Sequence, residues 1–307
     1  MRIVSLLPSA TEIICALGLS DQLVGISHRC DYPPEIEGVA VVTRPKRVVT
    51  GSVAAGAQAK APGLDDELGP SELEPAALAA VGADLIIIRE GGHGPGVAQI
   101  EAALVVQEAS PQIVALDPIT IEGIFHSITT IGAMTESEDD AIELLEALRE
   151  DIGEIEQAVV ARHDGGRRPK RVVVLESLSP LMSSGRWVPE QVRRAGGWEV
   201  LGHEGGPSAT TTWEEIRDVD PEMLFLSPAG LTLRQAQVVW RSVERPPFWA
   251  DLDAVRRGQV FFVEPVYFCR PGPRVVDGVA MLAEIFDPEG FVDTSPPDSW
   301  APIGGDF

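Results

Sequence analysis

Positive charge is scarce in this chain. Its 307 residues include 24 Lys and Arg against 47 Asp and Glu, a formal net charge of −23. A surface this acidic repels phosphate backbones, which argues against a nucleic-acid partner. Cysteine is scarce too. Cys15, Cys30 and Cys269 are the only three, an odd number at wide spacing that makes no disulfide framework. Cys15 falls on an apolar helical face, and Cys30 and Cys269 read as small loop fillers. No stretch approaches the roughly 18 uncharged apolar residues that a membrane helix needs. Met1-Arg2 followed by Ile3 to Leu7 resembles the start of an export signal, but Pro8 and Glu12 interrupt the run and no small-residue cleavage site follows. The segment reads instead as a first strand and helix. The expected location is therefore cytoplasmic, or periplasmic or surface-tethered if the natural precursor differs.

Enzyme signatures are also missing. There is no Gly-x-x-x-x-Gly-Lys-Ser/Thr loop, no Gly-x-Ser-x-Gly elbow and no His-Glu-x-x-His helix. The run Gly91-Gly92-His93-Gly94-Pro95-Gly96 does not fit the dinucleotide fingerprint, and Pro95 removes an amide that a phosphate would want. The expectation is a non-catalytic protein with no intrinsic cofactor.

What is present is a folded α/β pattern. Hydrophobic residues make up 44% of the chain, enough for a sizeable core, and the length suits two domains. Ala141, Leu145, Leu148, Ile152, Ile155 and Val159 form one apolar stripe, predicting a helix over about 137–163. Thr135 and Glu138 suggest a capping box at its start, and Gly165-Gly166 a stop. The segments before and after this helix repeat one another. Arg2–Leu6 matches Arg171–Leu175, each followed by a Ser/Pro loop and a helix ending at glycine. Leu23–His28 matches Glu199–His203, and Asp84–Ile88 matches Glu222–Leu226. Ile113–Pro118 matches Val260–Pro265, both ending acid-Pro. Short apolar strands separated by helices argue for parallel sheets covered on both faces.

The predicted fold is therefore α/β, two parallel-sheet lobes joined by a single long backbone helix, with a ligand cleft between them. The expected boundaries are an N-terminal lobe at 1–134, the linking helix at 135–166, a C-terminal lobe at 167–287 and an irregular tail at 288–307. Residues 53–68, rich in Ala, Gly and Asp, read as an insertion.

Ligands of open parallel sheets sit at the carboxyl ends of the strands, so the loops there are the places to look. His28, His93 and His203 each follow a predicted strand and are weak candidates for a metal. Both tyrosines, Tyr32 and Tyr267, fall on such loops, as does Trp187; flat aromatic faces with a polar tip suit a large planar ligand.

At this point the chain resembles a known family. Arg2–Glu12, Val24-Gly25-Ile26-Ser27 and Asp31-Tyr32-Pro33-Pro34 are similar to the cobalamin- and siderophore-binding proteins of ABC importers, the cobalamin binders above all. The similarity continues through Ala83–Ile88, Gly91-Gly92, Trp213-Glu214-Glu215-Ile216 and Tyr267-Phe268…Arg270…Pro273-Arg274, covering about 2–287. It implies a monomeric two-lobed protein that binds cobalamin or a related corrinoid, working with the membrane subunits of an importer or as an intracellular carrier. Carried over, Pro8, Tyr32 and the loop Arg89-Glu90-Gly91-Gly92 face the ligand from the first lobe. Ser183, Gly185, Trp187, Tyr267 and Phe268 face it from the second, with Arg270 beside them. Two other readings stand beside this one. A ferric siderophore or haem binder would cluster Arg29, Arg89, Arg186 and Arg270 at the ligand. A cytoplasmic enzyme of corrinoid or metal metabolism would need Glu90 or Glu176 beside His28 or His93.

Overall fold

The structure is a computed structural model that describes residues 1–46, 71–89, 94–104 and 110–304. The expected insertion at 53–68 lies outside these residues. The chain divides into two compact units. One holds the described residues up to Pro118 together with Glu122–Glu146. The other holds Ile119–Ile121 and the described residues from Ala147 onward. The division after Glu146 falls within the long helix. Ile119–Ile121 joins the second unit, where the Glu190 carboxylate accepts the Ile121 N–H at 2.8 Å.

The first unit is built on β1 (Ile3–Ser5), α1 (Pro8–Ala16), β2 (Leu23–Ile26), β3 (Ala40–Val41), β4 (Thr43–Pro45), β5 (Ser71–Leu73), α2 (Pro75–Val81), β6 (Leu85–Arg89), α3 (Val97–Leu104), β7 (Gln112–Leu116) and α4 (Ile121–Met134). Its main sheet is parallel in the order β3-β2-β1-β6-β7; β4 and β5 pair separately, antiparallel. In the sheet, β1 is buried throughout and β6 is buried from Leu85 to Ile88, the near-continuous apolar pattern of parallel strands buried on both faces. Val4, Leu6, Leu78, Ile86, Ile88 and Ile100 form the core, each contributing about 1.5–3 kcal/mol by leaving water. Gly25 in β2 is required by closeness: a Cβ there would stand 3.1 Å from both Val4 and Val42 side chains.

Helix α5 (Glu138–Asp164) has 27 residues, about 40 Å at 1.5 Å each. Its predicted stripe is largely buried at Ala141, Leu145, Leu148, Ile152 and Val159. The expected Thr135–Glu138 capping box does not form. Thr135 instead donates its hydroxyl back to the Ile131 carbonyl, Glu136 adopts φ +56°, and Ser137 supplies the first helical carbonyl to the Ala141 N–H. At the other end Gly166 takes φ +93°, and the Arg167 N–H returns to the Arg162 carbonyl, closing the helix.

The second unit runs β8 (Lys170–Leu178), β9 (Leu181–Ser183), α6 (Val188–Arg194), β10 (Gly197–Glu199), β11 (Ala209–Thr210), α7 (Trp213–Val219), β12 (Met223–Leu226), α8 (Leu233–Trp240), α9 (Asp253–Arg256), β13 (Val260–Val263), α10 (Val266–Cys269), α11 (Val275–Phe286) and β14 (Trp300–Pro302). The parallel core β10-β8-β12-β13 repeats the order β2-β1-β6-β7 of the first unit. This is the repeat read from the sequence, and the two-unit α/β fold is as expected.

Two details differ. The strand expected over Glu199–His203 is β10, which ends at Glu199, because the Glu199 carboxylate turns back to accept the Leu201 and Gly202 N–H groups. The tail at 288–307 is not wholly irregular: β14 pairs antiparallel with β13 and covers that edge.

Candidate functional site

The carboxyl-end loops of the first unit are fastened by hydroxyl groups. The Thr11 hydroxyl lies 2.9 Å from Ser5 Oγ and 3.0 Å from Cys30 Sγ, linking the start of α1 to β1 and to the loop after β2. Thr43 Oγ1 accepts the His28 N–H at 3.0 Å and lies 2.7 Å from His28 Nδ1 and 3.2 Å from Ser27 Oγ. Burial, and next the Arg29 cation, lower the His28 pKa, favouring neutral imidazole.

Pro8 occupies the first turn of α1 and is buried. Tyr32 stands on the same loop set and is 43% exposed. Arg89, the last residue of β6, pairs with Asp117 just beyond β7 at 3.3 Å, so its charge is engaged within the unit. Glu90, Gly91, Gly92 and His93 lie outside the described residues.

The second unit uses carboxylates for the same task. Glu199 accepts from Val174 N at 2.8 Å, Ser184 Oγ at 3.1 Å, Leu201 N at 3.0 Å and Gly202 N at 3.1 Å. Burial raises its pKa, with the four hydrogen bonds acting in opposition. Glu176, 2% exposed, accepts the Ser208 hydroxyl at 2.5 Å and the Gly185 N–H at 3.3 Å. Desolvation pushes its pKa up to about 8, with the nearby Glu199 adding to the rise. These bonds join the loop after β9 to the loop before β11. Backbone bonds complete the junction, from Arg186 N to Gly206 O at 2.6 Å and from Gly205 N to Arg186 O at 2.8 Å. Gly185 is required here, because an added Cβ would run into the backbone of Pro207 and Ser208.

Several predicted ligand contacts turn out to be packing. Trp187 is 2% exposed and Phe268 1%. Neither presents a free aromatic face, which corrects their assignment as ligand-facing residues. Ser183 is buried and donates its hydroxyl to the Ala209 carbonyl at 3.3 Å. Tyr267, in α10, remains half-buried, with the Arg274 guanidinium 5.7 Å from its ring centre; Arg270 follows at the end of that helix. His28 and His203 belong to different units. Among the described residues no group of three or more His, Cys, Asp or Glu side chains is placed to hold a metal.

Sequence reasoning did not single out the hydroxyls of Ser177 and Ser227. Ser177 Oγ and Ser227 Oγ, at the ends of β8 and β12, and the Trp187 indole N–H are buried without a hydrogen-bond partner among the described residues. A buried unpaired donor costs about 1–3 kcal/mol, which ordered water or a polar ligand offsets. A Ser after an apolar strand, before Pro or at the start of a hairpin, is the signal that could have found them.

Comparison with known proteins supports the same family from outside the molecule. A family model described as periplasmic binding protein matches residues 77–267. An uncharacterised ABC transporter substrate-binding lipoprotein, YvrC of Bacillus subtilis, is 24% identical over 294 residues, 94% of this chain and 81% of that protein. The vitamin B12-binding protein of Vibrio cholerae is 24% identical over 285 residues, 92% of this chain and 87% of that protein. A periplasmic heme-binding protein of Pseudomonas aeruginosa superposes with a TM-score of 0.70 at 20% identity, covering 94% of this chain and 93% of that one.

These findings overturn the cytoplasmic location expected from the opening residues. The relatives are periplasmic or lipoprotein substrate-binding proteins, which points outside the cytoplasm. Burial of Ile3–Ser5 in the sheet shows that the segment is structural, and burial of a strand carries no information about compartment. The match over 77–267, with relatives aligned along more than nine-tenths of the chain, places it in the periplasmic binding protein family, the non-catalytic solute-binding proteins that serve ABC importers.

Proposed function

We propose that this protein binds cobalamin or a related corrinoid as the substrate-binding component of an ABC importer. The observation that carries the reading is the identity with a vitamin B12-binding protein along nearly the whole chain. The loop chemistry supports it. A corrin ring is broad, apolar on its faces and fringed with amide groups, and such a ligand asks for aromatic surfaces and hydrogen bonds rather than charge. Tyr32 supplies an exposed ring on the first unit, and Tyr267 a half-exposed one on the second. The hydroxyls of Ser177 and Ser227 hold unused hydrogen-bonding capacity at the strand ends. Arg89, which a ferric siderophore would call on, is already paired with Asp117.

The ligand-binding set in this reading is Tyr32, Tyr267, Gly185 and Arg270, with Pro8 and Ser183 shaping the loops. Glu90, Gly91 and Gly92 join it through the family resemblance. A haem chelate is the second reading, favoured by the same two tyrosines, whose phenolates can ligate ferric iron. The test is the visible absorption spectrum of protein purified in the presence of hydroxocobalamin, with hemin in parallel. Retention of the corrinoid bands after gel filtration is expected. Retention of hemin alone would favour the second reading, and retention of neither would contradict both.

A further inference from the structure

The amino end of the second unit's sheet carries a cavity that the ligand reading leaves unused. Its volume is about 290 Å³. It lies where α5, α6 and α11 end and β8 begins, so it is built within one unit. Arg162, His163, Arg167, Arg168 and Lys170 line it, with Asp287 the one lining carboxylate among the described residues. This concentration of positive charge sits in a chain of net charge −23.

The cations are held in place. Asp287 is buried and pairs through one oxygen with Arg162 at 2.9 Å and through the other with Arg167 at 2.6 Å. Glu222 holds Arg168 at 3.1 Å. One carboxylate therefore orients two guanidinium groups and neutralises the charge of one. The side chains of Lys170 and His163 have no ion-pair or hydrogen-bond partner among the described residues. The negative end of a helix accounts for a cation in its last turn, such as Arg162. It does not account for Arg167, Arg168 and Lys170, which follow the end of α5 at Asp164. Like charges gathered around a cavity repel one another, and an anion between them relieves that repulsion.

We propose that this cavity binds a small polyvalent oxyanion of the phosphate class, with Lys170 as its principal contact, Arg168 shared between the anion and Glu222, and Arg162 and Arg167 oriented by Asp287. Planar guanidinium groups match the oxygens of such an anion two at a time, and an ammonium adds a point charge. The free ion and the phosphate of an anionic lipid headgroup share this chemistry. The site lies at the opposite ends of the strands from the proposed corrinoid loops and does not rest on that reading.

The test is isothermal titration of inorganic phosphate into the full chain, with chloride holding the ionic strength constant. Arg168→Gln, Lys170→Gln and the double variant are compared with wild type. Both side chains lie at the surface of the unit, and circular dichroism checks that each variant folds. Saturable binding by wild type is expected, weakened roughly tenfold by each single substitution and lost in the double variant. In a second arm, capture by phosphatidylglycerol vesicles but not phosphatidylcholine vesicles, reversed by phosphate, would assign the anion to a headgroup. Phosphate binding without vesicle capture would assign it to the free ion. Absence of saturable phosphate binding by folded wild type, or equal binding by the double variant, would overturn the proposal.

Discussion

The two units share one strand order but fasten their strand-end loops with different chemistry. In the first, Ser5, Thr11, Ser27 and Thr43 form neutral hydroxyl bonds around His28. In the second, the buried carboxyl groups of Glu176 and Glu199 gather backbone N–H and hydroxyl donors from loops distant in sequence. The apolar strands set the topology and leave the polar fastening open. A hydroxyl–hydroxyl bond has little to lose with pH, and the imidazole that Thr43 meets is held toward its neutral form by burial, whereas a buried carboxyl group couples its loops to the proton concentration. The two sets of strand-end loops therefore respond differently to the medium.

The largest effect should come from the second unit's fastening. Glu199→Ala strips four donors of their acceptor at once and should destabilise that unit by about 3–5 kcal/mol, whereas Glu199→Gln keeps one acceptor oxygen for two of the four donors and should recover only part of that cost. Urea unfolding followed by tryptophan fluorescence reads this, since five of the six tryptophans lie between Trp187 and Trp249. Equal costs for the two substitutions would mean that the side chain is mere filler.

Glu176 should give a pH signature. Its folded pKa is raised, so the native state holds the proton more tightly than the unfolded chain. The resulting stability is complete below the ordinary carboxylate value of about 4.3 and is lost as pH rises toward about 8. The slope in that window is at most about 1.4 kcal/mol per pH unit. Glu176→Gln should remove this component while keeping the Gly185 and Ser208 contacts, which thermal unfolding at pH 5, 6, 7 and 8 can show. An unchanged pH profile in the variant would break the contrast between the units. The smallest effect belongs to the first unit. Thr11→Val removes neutral hydroxyl bonds at nearly constant volume and should cost about 1 kcal/mol, equally at pH 5 and pH 8.

The topology was legible because it rests on local signals. Ile/Val/Leu runs bounded by proline and glycine mark β1, β6, β8 and β12, and the heptad-like stripe marks α5. The site was less legible, because its key contacts are distant. Glu199 reads as a strand residue, yet one of its partners is the Val174 N–H on another strand. Trp187 and Phe268 read as ligand-facing because they are aromatic residues in loops, but burial is decided by packing. Thr135 and Glu138 have the spacing of a capping box, but the left-handed turn at Glu136 moves the helix start to Ser137. The edge strand β14 escaped notice because it is three residues long in a Pro-rich tail.

The corrinoid reading is tested most directly by titrating hydroxocobalamin against wild type, Tyr267→Ala and Arg89→Ala at low and high salt. Wild type should bind saturably, with affinity that changes little with salt, since salt screens exposed charge pairs. Tyr267→Ala should weaken binding by about 1–3 kcal/mol, as the loss of an aromatic anchor does, with the fold intact. Arg89→Ala should have a lesser effect, its guanidinium being engaged by Asp117. Failure of folded wild-type protein to bind any corrinoid would contradict the account. So would binding that collapses with salt and with Arg89→Ala while Tyr267→Ala leaves it unchanged.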